Sequence, residues 1–478
     1  MPAPSLPTRL TTNVTKSLIP LAFSYLWGAK ETYKMQKTKY LYLETYGCQM
    51  NVADSEVIRA VTQTIGYETT EEIDQADAIF LNTCSVRENA EQKIYTRLSQ
   101  LRALREKLAR PIVIGVLGCM AENVREALIT EHHADLVAGP DSYQDLPNLV
   151  SAAEAGEPAV NVTLSRSETY ADIVPVKLPG VHISGYISIM RGCDQFCTYC
   201  IVPYTRGRER SREVKSILAE LDQMREMGYR EVVLLGQTVD AYSYTDESGV
   251  TTDFPRLLAL VAERAPEMRI RFTSPNPMDM TDETLHTMAA HPNICRHIHL
   301  PLQSGSDVVL KRMRRGYDVA QYKSRVEAIH RILPDCAITT DMITGFCGET
   351  EKDFRETLEL MEWVPFDSAY MFYYSERPGT YAAKYLDDDV PEEVKIDRLS
   401  RMIDLQRRLS EESNRRQIGQ EVEVLVEGFS KRSRAQLSGR TSQDKVVVFD
   451  KKEDVHFGDT VRCHIDDVTS ATLLGHLV

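Results

Sequence analysis

From Lys39 to Asn414, apolar strand-like runs alternate with stretches of helical period, and few folds accommodate such an alternation. Neighbouring parallel strands need long crossovers, usually helices, so repeated βα units predict parallel sheets with helices on their faces. The first three runs, KYLYLETYG, AIFLNT and PIVIGVLG, stop at Cys48, Cys84 and Cys119. The steps between these cysteines are 36 and 35 residues, each one βα unit. Each cysteine therefore falls at the carboxyl end of a strand, the edge at which open α/β sheets bind ligands. Helix amino termini there also lower thiol pKa values. One such cysteine is most simply a buried thiol. Three in one register point to a shared three-cysteine cluster site, in a doubly wound parallel sheet over residues 38–154.

Six more runs follow over residues 179–414: GYISIMR, EVVLLG, RIRFTS, HIHLP, CAITTDMITG and SAYMFYYS. They predict a partial (βα)6 barrel with its working groups at the strands' carboxyl ends. The loop after the first strand, MRGCDQFCTYC, carries Cys193, Cys197 and Cys200 in CxxxCxxC spacing. Such a loop can wrap three thiolates around a cubane iron–sulfur cluster. A 4Fe–4S cluster normally takes four cysteines, so three leave one iron open, and an open coordination position is where metal sites do chemistry. Structural zinc would need a fourth Cys or His, and the nearest histidine, His182, precedes Cys193 by eleven residues. A disulfide fits poorly with a large chain that has no secretory framework, and ten cysteines without dense pairing suggest a reducing compartment. Cys295, Cys336, Cys347 and Cys463 show no ligand spacing and read as buried thiols, and His132-His133 has no partner motif.

Residues 417–478 change character. Short β runs separated by Gly, Asp and Ser predict a small five-stranded, OB-like barrel. The net charge of −14 argues weakly against nucleic acid, but local patches decide such binding. Two basic runs stand out: RGRERSR, with Arg206, Arg208, Arg210 and Arg212, and KRSRAQLSGR, with Lys431, Arg432, Arg434 and Arg440. Either can be a solvated face or an RNA contact. Residues 1–37 read as an extension, disordered or preceding a later start at Met35. Nothing approaches eighteen consecutive apolar residues, so no membrane span is expected.

The order YGCQMNVADSE, NTCSVRENAEQK, LGCMAE, RGCDQFCTYCIVPYTRGRERSR and a β-rich tail from EVEVLVEG resembles that of the radical-SAM tRNA methylthiotransferases, from about Lys39 to the end of the chain. The resemblance implies a methylthiotransferase N-terminal domain, a radical-SAM barrel and a C-terminal TRAM barrel. It implies addition of a methylthio group to carbon 2 of N6-isopentenyladenosine beside the tRNA anticodon, with two 4Fe–4S clusters and two S-adenosylmethionine (SAM) molecules per product. Cys193, Cys197 and Cys200 would hold the SAM-cleaving cluster, and Cys48, Cys84 and Cys119 the auxiliary, sulfur-carrying cluster. Sister branches act on threonylcarbamoyl-adenosine in tRNA or on an aspartate of a ribosomal protein. The wording YGCQMN and TCSVRENAEQK favours the isopentenyladenosine branch. A monomeric cytoplasmic enzyme reduced by a flavodoxin or ferredoxin is expected.

Four places at predicted strand ends are candidates to hold SAM: Tyr199 for the adenine, Gly236-Gln237 for the methionine amine, Gln303-Ser304 for a ribose, and Gly345 for adenine against backbone. Their plain alternatives are loop packing, a turn, a helix cap and a second turn. One departure from the family is Cys347 in GFCGET, where proline is usual.

Overall fold

β1 (Lys39–Thr45), β2 (Tyr67–Thr69), β3 (Ala78–Thr83), β4 (Val113–Gly118), β5 (Leu136–Ala138) and β6 (Ala159–Asn161) form one sheet, ordered β2-β1-β3-β4-β5-β6 and parallel throughout. The computed structural model describes residues 38–85, 88–177 and 183–478. The extension 1–37, with Met35, and His182 lie outside the described residues. β3 and β4 are buried at every position, as central strands covered on both faces must be. Helices Gln49–Gln63 and Leu146–Glu154 cover one face through Val57, Ile58, Leu146 and Leu149. Glu88–Leu108 and Cys119–Val124 cover the other through Ile94, Leu98 and Met120. The first region runs beyond residue 154, because β6 pairs with β5.

All six expected barrel strands form. β7 (Ser184–Ser188), β10 (Glu231–Leu235) and β13 (Arg269–Phe272) make one parallel sheet; β14 (His297–His299), β15 (Ala337–Thr344) and β16 (Ser368–Tyr373) make another. An isolated parallel bridge runs from Ile270 of β13 to Ile294, three residues ahead of β14. No ladder joins β7 to β16 among the described residues, so the barrel is partial. Two short pairs interrupt the series, β8 (Met190–Arg191) with β9 (Arg210–Ser211) and β11 (Ser243–Thr245) with β12 (Thr251–Asp253). The last strands, β17 (Glu421–Phe429), β18 (Gln436–Arg440), β19 (Val446–Asp450), β20 (Thr460–Val468) and β21 (Leu473–Leu477), close a barrel around Val424, Leu437, Phe449 and Ile465. Arg271 fastens it to β13, donating to the carbonyls of Thr441 (2.7 Å) and Ser442 (3.1 Å). No helix among the described residues is long and apolar enough to cross a membrane.

Lys39–Val478 clusters as one compact unit. Met50 and Ala53, at the start of helix Gln49–Gln63, pack on Val233 and Leu235 inside the barrel. Buried ion pairs lock the same seam. Asp54 meets Arg191 (2.7 Å) and Arg206 (2.9 Å), Asp141 meets Arg210 (2.9 Å), and Glu220 meets Arg212. Burial opposes the charge on Asp54, yet the two guanidinium groups hold its carboxyl below the usual range. The RGRERSR run is therefore not a solvated RNA-facing strip. Arg206, Arg210 and Arg212 are buried in the seam, and only Arg208 is exposed, close to Asp194 and over the Phe196 ring. Four arginines adjacent in sequence were separated by the tertiary fold because acids from elsewhere meet three of them.

Lys177 sits in the seam with its ammonium between Glu56 (2.6 Å) and Glu220 (2.8 Å). Removing one partner from a buried ion network leaves charges unpaired, which typically costs about 3–5 kcal/mol. Lys177→Met is expected to destabilise the chain by that amount, read as a lower urea midpoint for unfolding. An unchanged midpoint would mean the seam does not depend on this lysine.

Candidate active site

Three thiols converge where β1, β3 and β4 end. Cys48 caps helix Gln49–Gln63 and Cys119 opens the next short helix. Gly47 has φ of +109°, and a Cβ there would stand 2.4 Å from the Cβ of Cys84. Only glycine allows the two cysteine-bearing ends to come so close. Asn51, in the YGCQMN segment, stitches them: its Nδ2 donates to the carbonyls of Tyr46 (2.7 Å) and Thr83 (2.9 Å). Thr83 Oγ1 in turn donates to Leu117 O (2.6 Å), tying in the third strand end. The strand order reverses between β1 and β3, so Cys48 and Cys84 flank the switch point at which such sheets open a crevice.

An arginine from the other half of the molecule completes this group. Arg206 Nε donates to Cys119 Sγ (3.2 Å), and its Nη2 donates to Asn51 Oδ1 (2.8 Å) and Asp54 Oδ2 (2.9 Å). A hydrogen bond from Cys84, aided by the Arg206 charge, brings the Cys48 thiol down to about 6. Burial pushes the Cys119 thiol up, against the pull of Arg206. One thiol is thus ready to ionise near neutral pH, while another needs a cation to do so.

The triad Cys193, Cys197 and Cys200 lies on the loop between β8 and β9, whose antiparallel pairing clamps its two ends. Gly192 has φ of +80°, and a Cβ there would meet Arg208 O at 2.0 Å. This close crossing lets Cys193 N donate to Gly207 O (3.1 Å). Cys193 Sγ lies 3.3 Å from Thr238 Oγ1 beyond β10, and Arg315 Nη1 donates to Cys197 Sγ (3.2 Å). Burial raises the Cys193 thiol and, with the neighbouring Cys197, takes Cys200 up to about 12. Among the described residues, no three His, Cys, Asp or Glu side chains are close enough to hold one ion. The donor set of each triad is three thiols and no histidine or carboxylate, the ligand type that iron–sulfur clusters take.

The remaining candidates divide. Tyr199 packs edge-on against Phe346 at 6.2 Å. Gly236 leaves no room for a side chain, since a Cβ would approach Met190 to 2.7 Å. Gln237 keeps a buried Oε1 without a partner, a group that can receive a ligand's donor. Gln303 has φ of +72° and its backbone pairs with Asp341 O and Ile343 N, both at 2.9 Å. One expectation fails on geometry. Ser304 is fully buried with its hydroxyl turned to Thr357 and Ser306 N, so it offers nothing to a ribose. At Gly345 the side-chain direction is filled by Lys395, 2.4 Å from the site of a Cβ, which leaves no residue but glycine there.

At the basic run of the last barrel, Arg440 is paired with Asp444 (3.0 Å) and Glu427 (3.3 Å). Lys431, Arg432 and Arg434 project exposed from the turn between β17 and β18. Sequence reading missed Arg315, Thr238, Asn51 and Asp54. Thr238 was one position beyond a flagged turn, whereas nothing local distinguishes Arg315. On β14 and β15, His299 lies 3.5 Å from Asp341 and 5.8 Å from the Tyr370 ring. Tyr370 and Phe372 are exposed on that side.

Family models match three stretches: uncharacterized protein family UPF0004 at 40–139, the radical SAM superfamily at 187–361 and the TRAM domain at 415–478. A protein of Porphyromonas gingivalis named tRNA-2-methylthio-N(6)-dimethylallyladenosine synthase is 61% identical over 445 residues, 93% of this chain and 96% of its own. Proteins of the same name from Parabacteroides distasonis and Bacteroides fragilis are 61% and 57% identical over 92% of this chain, and 95% and 96% of their own. Among solved structures, the radical S-adenosylmethionine methyltransferase TsrM of Kitasatospora setae aligns over 72% of this chain and 74% of its own, with a TM-score of 0.55 and 13% identity. The cobalamin-dependent enzyme OxsB aligns over 78% and 61%, with a TM-score of 0.52 and 15% identity. Both likenesses are of fold.

Proposed function

We propose, from the premise that this chain belongs to the tRNA-2-methylthio-N(6)-dimethylallyladenosine synthase family, that it adds a methylthio group to carbon 2 of N6-dimethylallyladenosine in tRNA. The observation that carries this reading is the presence of two separate thiol triads, one at each sheet's carboxyl edge, within one compact unit. Cys193, Cys197 and Cys200 would hold the SAM-cleaving 4Fe–4S cluster, and Cys48, Cys84 and Cys119 the sulfur-carrying one. When bound, these groups supply the radical, the sulfur and the methyl, chemistry that no side chain here can perform on an aromatic C–H.

The chain's own part is to hold and orient. Arg315 and Thr238 steady sulfurs of the Cys193, Cys197 and Cys200 triad; in the auxiliary triad Arg206 donates to Cys119 and Asn51 accepts from Cys48. Gln237 Oε1 is free to accept a donor from SAM. Tyr370 and Phe372 offer faces on which a displaced nucleobase can stack. The reductant would be a flavodoxin or ferredoxin, and the working unit a monomer in the cytoplasm. The test is direct: reconstituted protein, SAM, reductant and tRNA bearing dimethylallyladenosine, followed by mass spectrometry of the nucleosides. The 2-methylthio product is expected; methylthiolation of threonylcarbamoyl-adenosine instead would assign the chain to a sister branch.

For RNA contact the proposal narrows to Lys431, Arg432 and Arg434, with Arg208 exposed beside the loop of Cys193, Cys197 and Cys200. Phosphate contacts by such residues give salt-dependent affinity, with a log–log slope of about 0.9 per contact on duplex. Changing the three TRAM cations to alanine is expected to weaken tRNA binding and flatten that slope by up to about 2.7. SAM cleavage without tRNA should be unaffected. Unchanged affinity and slope would make the strip a plain solvated face.

A further inference from the structure

We infer that His299 and Asp341 read the N6 and N7 edge of the adenine to be modified, a specificity role that rests on the function proposed above. β14, β15 and β16 turn alternate residues to opposite faces. Ile298 and Met342 go to the main core, with Met371 packed on it. His299, Asp341 and Tyr370 go to the other face, where the Asp341 side chain is 35% exposed and Tyr370 59%. The register sets Tyr370 directly beside Asp341.

That face runs between the two triads. Val233 and Leu235 of β10 lie under Met50 and Ala53, just after Cys48. Ile343, two positions beyond Asp341 on the same face, packs with Tyr199, just before Cys200. Arg271 of β13 joins the two sheets: it meets Glu231 of β10 (2.7 Å) and Asp444 (3.7 Å), and Asp444 lies near His297 of β14.

The hydrogen bonds give this face a polarity. Thr339 Oγ1 stands between His297 Nε2 (2.9 Å) and His299 Nδ1 (3.0 Å). One hydroxyl hydrogen serves one imidazole, so the other ring must donate. Burial takes His297 down to about 4, a neutral ring that can donate from Nε2. Thr339 then donates to His299 Nδ1, which puts the His299 hydrogen on Nε2, facing Asp341 Oδ2 at 3.5 Å. The opposite order would aim a ring lone pair at a carboxylate. At 3.5 Å the pair is not closed into a hydrogen bond, and among the described residues the Asp341 side chain has no other partner. A donor and an acceptor therefore stand side by side, both able to serve a ligand.

Adenine matches them on one edge, where N7 accepts and the N6 hydrogen donates. Unstacked bases are read by such edges while lying on aromatic rings, and the Tyr370 ring is 5.8 Å from that of His299. With the alkyl group on N6 turned to the N1 side, the one remaining N6 hydrogen lies beside N7. Carbon 2 lies between N1 and N3, away from that edge, and stays uncovered. SAM carries the same adenine edge, so the test must separate the two sources.

The test uses the reconstituted full chain and two anticodon stem-loop RNAs, one bearing dimethylallyladenosine and one its 7-deaza analogue, in which N7 is a C–H. For the parent, loss of N7 is expected to lower kcat/KM by about tenfold to a hundredfold. His299→Asn, whose amide can serve Thr339 but leaves nothing at Nε2, should treat the two RNAs alike, at the lower level. His299→Gln, whose amide reaches the place of Nε2, should regain part of the difference, and Asp341→Leu should lower kcat/KM for both RNAs. The KM for SAM in RNA-free cleavage is expected to keep its parental value in every variant. A raised KM would assign the pair to the adenine of SAM and overturn the proposal. So would a parent that handles both RNAs equally, a His299→Asn variant that still tells them apart, or parental kcat/KM in Asp341→Leu. Should the variants lose their iron, the comparison of the two RNAs on the parent decides alone. A parent that leaves dimethylallyladenosine itself unmodified would overturn the function proposed above, and this proposal with it.

Discussion

Changing Cys193, Cys197 and Cys200 together to alanine is expected to halve the iron of the reconstituted protein, from roughly eight atoms to four, and to abolish reductive cleavage of SAM. Burial raises two of these thiols, so they ionise in place only against a strong cation such as iron. No other side chain can substitute, because among the described residues no further cysteine lies on the β8–β9 loop. The measurements are iron per chain and 5′-deoxyadenosine formed with a strong chemical reductant. An unchanged iron count would refute the assignment of these ligands.

The complementary variant, with Cys48, Cys84 and Cys119 changed to alanine, is expected to lose methylthiolation entirely while 5′-deoxyadenosine production continues. The two triads are carried on different sheets, and the β8–β9 clamp, Thr238 and Arg315 that hold the first triad are untouched. Arg206 retains Asp54 and Asn51 in this variant, so the seam between the sheets should persist. A folded triple variant that no longer cleaves SAM would show that the two sites are not separable in this way.

The cysteines, their register and the barrel strands were legible because each depends on local pattern: an apolar run sets a strand, and a strand's end sets the position of the residue after it. Cys48, Cys84 and Cys119 group together in the sequence for that reason. The arginines could not be read so. Whether Arg206, Arg210 and Arg212 face water depends on Asp54, Asp141 and Glu220, which lie 152, 69 and 8 residues away. Ser304 illustrates the same limit. It sits at a strand end as expected, but Thr357, from a helix later in the chain, meets its hydroxyl. Arg315 left no trace at all, since a lone arginine after a helix is ordinary until its nitrogen is found beside a sulfur.

The helix that enters the barrel has a consequence for how such proteins can be inherited. Met50 and Ala53 take the place that barrel residues or solvent would otherwise occupy over Val233 and Leu235. A recombinant carrying the central barrel with an unrelated first domain would expose that apolar floor to water and leave Lys177, or whatever replaced it, without Glu56. Chimeras joined between residues 161 and 184 should thus be soluble only when both donors share the Asp54, Glu56 and Lys177 set. Lineages of this enzyme are expected to have exchanged the two units together or not at all.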